Sequence, residues 1–345
     1  MNPSTLERPA RRRLATGLLS AAALAAGGAF GLRSGAARAA DAPQPAGYPA
    51  GARVALIVPF APGGTTDLVA RLVAQALSAR WGSPVIVENR PGAGGNIAAE
   101  YVARARPDGL NLLIGATSFA NAPALNRQLR YDVVQDFAPI SMIATTPLVM
   151  MVSNQSSIRT VQDLAARLKA RPDGLNYGSS GVGTSIHLST LMLLNRLDAR
   201  AVHVVYKGSG PALTALASGE IDVLFDNYAT AMPFVTGGQV RGIALTSARR
   251  GNLKTELPTL AELGFENFES LTWIGMLAPA KTPQPVVSWL NAEMQTVLKE
   301  ADMRARLIEM GFTTMPTTSK QMGDFVVSEL AKTRRLVEVN RLPVE

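Results

Sequence analysis

The residues of this chain best suited to chemistry are hydroxyls, side-chain amides and glycines gathered where an apolar run gives way to an amphipathic pattern. They stand in Pro59-Phe60-Ala61-Pro62-Gly63-Gly64-Thr65-Thr66-Asp67, in Asn89-Arg90-Pro91-Gly92-Ala93-Gly94-Gly95-Asn96, in Thr117-Ser118-Phe119-Ala120-Asn121 and in Gly178-Ser179-Ser180-Gly181-Val182-Gly183-Thr184. A glycine has no Cβ, so a ligand can approach the main chain there, and the first N–H groups of a following helix point outward without partners. Such a turn suits an oxygen of a carboxylate or a phosphate. A plain connection in which Thr65 or Thr66 merely caps the helix is the alternative reading of the first stretch.

Other chemistries fail on spacing. In Gly92-x-Gly94 the third glycine of a dinucleotide-binding loop would fall on Ile97. Around Ser180 a nucleophile elbow would need glycine where Val182 stands, and no Gly-Lys-Ser/Thr follows for a phosphate loop. His187, one turn into a helix, reads as a packed residue, and a Ser180–His187 pair has no evident third partner. Arg90 is either a ligand-facing cation or a solvated loop residue. Lys207 and Asp226 either take the two ends of a zwitterion or are a solvated lysine and a helix-capping aspartate.

Positioning these residues requires strands that end where helices begin. Val54–Val58 is a continuous apolar run, and Leu68, Val69, Leu72, Val73, Ala76 and Leu77 then recur on one helical face, which reads as buried strand, loop and helix. The pattern repeats with strands at Pro84–Glu88 and Leu110–Ala116, the second helix turning Ile97, Tyr101 and Val102 inward. Phe137–Thr145 and Leu148–Ser153, broken at Pro147, read as a crossover. Beyond it come a helix at Thr160–Ala170 capped by Thr160, strands near Leu175, at Val202–Tyr206, Ile221–Asn227 and Arg241–Ser247, and a helix at Ala212–Ser218. Alternating strands and helices imply a mostly parallel sheet with its loops collected at one end. Leu271–Ala278, with Trp273 inside it, reads as the return strand. Val286–Lys299, Met303–Met310 and Met322–Val339 read as helices whose Met and Leu residues are core.

Composition narrows the class. The 345 residues are 47% hydrophobic and 17% charged, which describes a globular chain long enough for two domains. There is no cysteine, so disulfides, thiolate nucleophiles and cysteine-held metals are excluded, and two histidines make a histidine-rich metal site a poor fit. Residues 1–39 hold six arginines and one acid, a net of +5, which leaves +3 of the formal +8 for the rest. That mild excess suits anionic solutes, and no basic stripe with interleaved aromatics points to nucleic acid. Arg11-Arg12-Arg13, a small-residue apolar run from Leu14 to Leu32 and Ala37-Arg38-Ala39 have the layout of a secretory signal peptide cleaved after Ala39 or Ala40. The arginines resemble a twin-arginine export signal with a weak Ala15, and Sec export stays open.

Five motifs in order resemble one family, the substrate-binding receptors of tripartite tricarboxylate transporters, or Bug receptors. They are Val58-Pro59-Phe60-Ala61-Pro62-Gly63-Gly64-x-x-Asp67, Glu88-Asn89-Arg90-Pro91-Gly92-Ala93-Gly94-Gly95, Gly178-Ser179-Ser180-Gly181-x-Gly183-Thr184-x-x-His187-Leu188, Tyr206-Lys207-Gly208 and Asp222-x-x-Phe225-Asp226. The resemblance covers Arg53 to about Leu336. It implies a type 2 periplasmic-binding-protein fold: two α/β domains joined by two crossing strands, with the ligand cleft between them. The expected division is a signal peptide at 1–39, a lead-in at 40–52, a first domain from 53–148 and 271–345, and a second from 149–270.

By the same resemblance Phe60, Ala61, Gly63, Gly64, Asp67, Asn89, Thr117, Ser118 and Asn121 form one wall of the site. Ser179, Gly181, Gly183, Thr184, Tyr206 and Asp226 form the other. A monomer is expected in the periplasm, binding a small carboxylate and meeting integral membrane transporter subunits, with no cofactor, no metal, no nucleic acid and no catalytic residue. A sensor partner in place of a transporter, and an exported α/β enzyme using Ser180 and His187, are the competing readings.

Overall fold

In the computed structural model, residues 44–45, 48, 51–251 and 253–340 are described. The segment read as a signal peptide and most of the lead-in lie outside the described residues. Among the described residues, no helix is long and apolar enough to cross a membrane.

The run Val54–Val58 is strand β1, and its five side chains are all buried because both faces of the sheet are covered. Val54, Leu56 and Val58 enter a core with Val69, Val73 and Leu77 of helix α1 (Thr65–Trp81) and with Leu290 and Met294 of α8 (Gln284–Lys299). Ala55 and Ile57 face the opposite core, with Phe119 of α3 (Thr117–Leu125) and Met322 and Val326 of α10 (Ser319–Asn340). Strands β2 (Val85–Asn89) and β3 (Asn111–Ala116) flank β1 in parallel. β9 (Leu271–Pro279) pairs antiparallel with β3 and with β4 (Phe137–Ser153), so the order in this lobe is β2-β1-β3-β9-β4.

Strand β4 runs unbroken from Phe137 to Ser153. The sequence suggested a break at Pro147, and the structure corrects this. Pro147 lies opposite Leu271 of β9, and from Leu148 onward β4 pairs instead with β7 (Val223–Asn227) and β8 (Val240–Leu245). A residue without an N–H is tolerated where the strand changes partners, since no ladder bond is lost. Beside it, Leu148 donates its N–H to Thr246 Oγ1 at 2.8 Å and Thr246 returns an N–H to the Leu148 carbonyl at 2.9 Å. These two residues tie the outgoing and returning chains at the junction of the lobes.

The second lobe has its own core, from Leu148 to Phe268. Strands β5 (Asn176–Ser179), β6 (Val202–Val205) and β7 are parallel; α5 (Ser185–Arg196) and α6 (Ser209–Ser218) connect them, α4 (Val161–Ala170) leads in from β4 and α7 (Tyr228–Thr236) leads out to β8. Helix α4 starts as its sequence indicates: Thr160 Oγ1 accepts the Asp163 N–H, and the Asp163 carboxylate accepts the Thr160 N–H. In α2 (Asn96–Ala103) the inward face is Ala98, Ala99 and Val102, and Ile97 is 51% exposed, contrary to the helical-face reading. Gly92–Gly95 explain the shift. Their positive φ angles fold the chain into a 3-10 turn that resets the start of the helix, and Ile97 covers the glycine turn instead of the core.

Candidate functional site

Five helices point their N-termini into one space between the lobes. Gly64, Thr65 and Thr66 open α1; Ala116, Thr117 and Ser118 open α3; Thr184, Ser185 and Ile186 open α5; Ser209 opens α6 and Asn227 precedes α7. The parallel strands enforce this convergence, because each helix begins where its strand ends on the same edge of the sheet. The first N–H groups of a helix have no intrahelical acceptor and carry the positive end of its dipole. No lysine, arginine, aspartate or glutamate lines this inner chamber, so its field comes from the helix ends. The arrangement receives an anionic oxygen with N–H and O–H donors and needs no buried cation.

The chamber is small, about 20 Å³, room for about one water. Nine of its lining residues carry hydroxyls. Six are engaged inside the protein: Thr117 Oγ1 accepts the Trp273 N–H, Thr184 Oγ1 donates to the Gly181 carbonyl, and Ser209 donates to Asp226. Ser185 and Thr272 share a 2.5 Å bond, Thr272 donates on to Asn227 Oδ1, and Thr65 meets Thr230 across the cleft. Thr66, Ser118 and Ser180 are left with hydroxyls that have no hydrogen-bond partner among the described residues. A second, larger chamber of about 400 Å³ adjoins the first, and Phe60 and Ser180 line both.

Of the residues expected to form the walls, Phe60, Gly64, Thr117, Ser118 and Thr184 line the inner chamber, and Phe60, Gly181 and Tyr206 line the outer one. The remainder lie elsewhere. Asp67 is 1% exposed and faces back into its own loop: Oδ2 accepts the Gly63 N–H at 2.9 Å and Arg71 Nε at 2.8 Å, while Oδ1 accepts Arg71 Nη2 at 3.0 Å and Asn89 Nδ2 at 2.9 Å. Asn89 also donates to the Phe60 carbonyl at 3.0 Å. Burial pushes the Asp67 carboxyl up, but the bonds from Arg71, Gly63 and Asn89 together outweigh it and hold it below the ordinary carboxylate value. Asp67, Asn89 and Gly63 thus brace the loop that carries Phe60, and none of them lines either chamber. Asp67→Ala strands the Gly63 N–H and the Asn89 amide, and should lower unfolding free energy by roughly 2–3 kcal/mol in a urea titration.

Ser179, Gly183 and Asn121 support the opposite loop. The two histidines of the chain stack on each other, ring centroids 4.3 Å apart, and Tyr177 stacks on His203 at 4.7 Å. His187 Nδ1 accepts the Gly183 N–H at 3.3 Å, and His203 Nε2 shares a 2.6 Å bond with Ser179 Oγ. Burial, reinforced by the neighbouring His203 charge, lowers the His187 pKa to about 3, and burial lowers that of His203 to about 4. Both are neutral at pH 7, which keeps Nδ1 of His187 an acceptor. Ser180 makes no bond to His187.

Asp226 is fully buried behind Ser209. Its Oδ1 accepts from Ser209 Oγ at 2.8 Å, Thr230 Oγ1 at 2.6 Å and the Asn227 N–H at 2.6 Å, and Oδ2 has no partner. Burial raises its pKa to about 6 against the three bonds that lower it. It lines neither chamber, so the pairing of Asp226 with Lys207 around a zwitterion finds no geometric support. Its carboxylate instead fixes Thr230, which uses its hydrogen on Asp226 and so accepts from Thr65 of the other lobe, 3.2 Å away.

The lobes touch across the cleft at several other points. Asn121 Nδ2 donates to the Gly183 carbonyl at 3.0 Å. A Cβ on Gly181 would sit 2.8 Å from Gly94 Cα, one on Gly94 would sit 2.5 Å from the Val182 carbonyl oxygen, and one on Gly208 would sit 3.3 Å from the Ala61 Cβ. Ala61, Asn121 and Gly183 therefore belong to the contact between the lobes. Arg90 lies outside both chambers, its guanidinium 3.6 Å above the Tyr101 ring and paired with Glu88.

Sequence reading left Ser185, Ser209, Asn227 and Thr272 out of the walls, along with Thr65 and Thr66, read as cap candidates, and Ser180, read only as a competing nucleophile. The first three stand at helix starts, which was the available signal. Thr272 comes from the return strand, and nothing local places it there.

The comparisons agree with this architecture. The family model described as the tripartite tricarboxylate transporter family receptor matches residues 69–342. BugT of Bordetella pertussis is 32% identical over 83% of this chain and 88% of its own length. The solved structure of Rhodopseudomonas palustris Rpa4515 with adipate is 34% identical, with a TM-score of 0.82 over 85% of this chain and 99% of that one. MatC of the same organism with bound malate is 32% identical, with a TM-score of 0.78 over 83% of this chain and 99% of that one. A cleft between two α/β lobes, ringed by helix N-termini, and a family match over most of the chain lead to one statement: this chain belongs to the tripartite tricarboxylate transporter family of receptors.

Proposed function

We propose that the mature chain is a periplasmic solute receptor that captures a small carboxylate between its lobes and presents it to the membrane subunits of a tripartite transporter, without catalysis. The observation that carries this is the convergence of five helix N-termini on a chamber free of ionisable side chains. The relatives solved with adipate and malate support the ligand class. Thr66, Ser118 and Ser180, whose hydroxyls have no partner among the described residues, are the groups assigned to hold the carboxylate, together with the N–H groups around them. The proposed lobe boundaries are those of the expected division, 148/149 and 270/271, and the change of β4 partners beside Pro147 supports the first of them. Residues 1–39 or 1–40 are removed on export, and Edman sequencing of protein recovered from the periplasm should begin at Ala40 or Asp41.

The test is a thermal-shift screen of the mature protein against organic acids, followed by calorimetry on those that bind. A carboxylate at a hundredfold excess over its Kd stabilises by about 2.7 kcal/mol. A panel in which no acid shifts the melting temperature would overturn the reading. Replacing any one of the three hydroxyls (Thr66→Val, Ser118→Ala, Ser180→Ala) should weaken the best ligand roughly tenfold, because each removes a bond to a charged group. The melting temperature of the unliganded protein should stay unchanged. Conversion of the bound acid, lost in Ser180→Ala, would instead favour an enzyme.

A further inference from the structure

We infer that a cavity at the junction of the lobes, outside the cleft, is an effector site for a phosphate monoester with an apolar body. It holds about 650 Å³ and shares no lining residue with either chamber. Strand β9 divides it from the inner one: Leu271 lines the cavity and the next residue, Thr272, lines the chamber, as neighbours on a strand point to opposite faces. Its walls come from both lobes, with Arg304 and Ile308 of α9 (Ala301–Glu309) on one side and residues 247–251 and Leu253, after β8, on the other. Gly311, also in the lining, lies against the Tyr228 ring of the second lobe, so the shape of the cavity is tied to how the lobes sit.

Three arginines line the cavity, Arg249, Arg250 and Arg304, with Glu269 as the one acid. Arg250 is committed to Glu262, which its Nη2 meets at 2.7 Å. Arg249 and Arg304, one from each lobe, are exposed and have no carboxylate partner among the described residues. Ser247 Oγ, in the same lining, is buried and has no hydrogen-bond partner among the described residues, which a bound acceptor would remedy. Two unpaired guanidiniums and an unpaired hydroxyl suit a doubly charged oxyanion, and a phosphate head group matches them in charge and in fork geometry. Leu253, Leu271 and Phe312 add an apolar wall, and the volume is that of an organic ligand and not of a bare ion. The cavity has this shape with the lobes in contact through Asn121 and Gly183, so an ester that fits it favours that arrangement and tightens the hold of the cleft on its solute. The tightening rests on the receptor reading above; the site itself does not.

The experiment measures phenyl phosphate, inorganic phosphate and phenol by calorimetry on the mature protein with the cleft empty. Phenyl phosphate should bind roughly tenfold more tightly than inorganic phosphate, which lacks the apolar body, and phenol should not bind. Arg249→Met and Arg304→Met should each weaken phenyl phosphate roughly tenfold, because each removes a charge-assisted bond. Glu269→Gln should strengthen it by removing the opposing charge, and Ser118→Ala, in the inner chamber, should leave it unchanged. Binding that survives both arginine variants, binding lost in Ser118→Ala, or no binding of phenyl phosphate would overturn the site and leave the receptor reading standing. Flotation with vesicles of phosphatidate in phosphatidylcholine separates two sources of the same chemistry. Flotation that needs Arg249 and Arg304 assigns the ester to a lipid headgroup, and phenyl phosphate binding without flotation assigns it to a soluble compound. Saturating phenyl phosphate should also tighten the carboxylate found in the thermal screen by roughly threefold, and that carboxylate should tighten phenyl phosphate by the same factor. Affinities that ignore each other would overturn the effector role. Should no carboxylate bind, the receptor reading and the effector role fall together, and the arginine and glutamate variants still decide the site. All three side chains are exposed, so matching melting temperatures of the unliganded variants confirm that folding is intact.

Discussion

Replacing Gly94 by alanine should weaken ligand binding at least tenfold while leaving the fold as stable as a control substitution does. Gly94 has φ +64° and lies against the second lobe, where a Cβ would come within 2.5 Å of the Val182 carbonyl oxygen. Backbone atoms on both sides leave no flexible side chain to move aside, so the methyl group acts as a wedge. Gly82, at the end of α1, has φ +61° and nothing within 4 Å of its would-be Cβ. Gly82→Ala and Gly94→Ala therefore share the left-handed strain of roughly 1–2 kcal/mol, and only the second opposes the approach of the lobes. Urea midpoints should drop alike for the pair. Calorimetry should separate them by more than the 1.4 kcal/mol that corresponds to a factor of ten, and small-angle scattering of Gly94→Ala with saturating ligand should show a larger radius of gyration. If the two variants bind alike, the contact between Gly94 and Val182 is not part of the ligand-bound state.

Acidification should destabilise this protein well above the range where carboxylates titrate. His187 and His203 have folded-state pKa values of about 3 and about 4, against 6.5 when unfolded, so between pH 6.5 and 4.5 the unfolded chain binds two protons that the folded one refuses. Stability from this pair is complete above pH 6.5 and is lost as pH falls. Asp226 works in the opposite sense. Its folded pKa of about 6 exceeds the unfolded 3.8, so below pH 6 the folded state takes up a proton and gains stability. Two groups against one leave a net loss on the order of 3 kcal/mol between pH 6.5 and 4.5, after discounting the partly exposed His203. The urea midpoint followed across that window measures it. In the double variant His187→Gln, His203→Gln the slope should reverse sign, because Asp226 alone remains. An unchanged slope would mean that the stacked imidazoles are not held neutral.

Much of the architecture was legible because local signals and tertiary structure agree. Val54–Val58 is apolar at every position, which requires cover on both faces, and α1 and α8 on one side with α3 and α10 on the other provide it. The loops were legible for the same reason: apolar run, glycine and amphipathic pattern follow one another within a few residues. The rest depends on which neighbour a residue meets in three dimensions, which local pattern does not give. Pro147 reads as a breaker until β9 and β7 are seen to divide β4 between them. Asp67 and Asp226 look like ligand contacts because acids near loops often are. Their direction is set by Arg71 and Asn89 in one case and by Ser209 and Thr230 in the other. Thr272 enters the site only because the return strand closes the sheet.

Strand β9 also governs the order in which the polypeptide can acquire its shape. It sits between β3 and β4, in the middle of the first lobe's sheet, although it is made after the whole second lobe. As the chain emerges from a ribosome or a translocation pore, β1 to β3 must wait with one flank unpaired until residue 279 is through, whereas residues 148–270 can already assemble around their own core. A nascent chain stalled before Leu271 would hold a finished later half joined to an unfinished earlier one, and the exposed edge of β3 is where a holding chaperone would act.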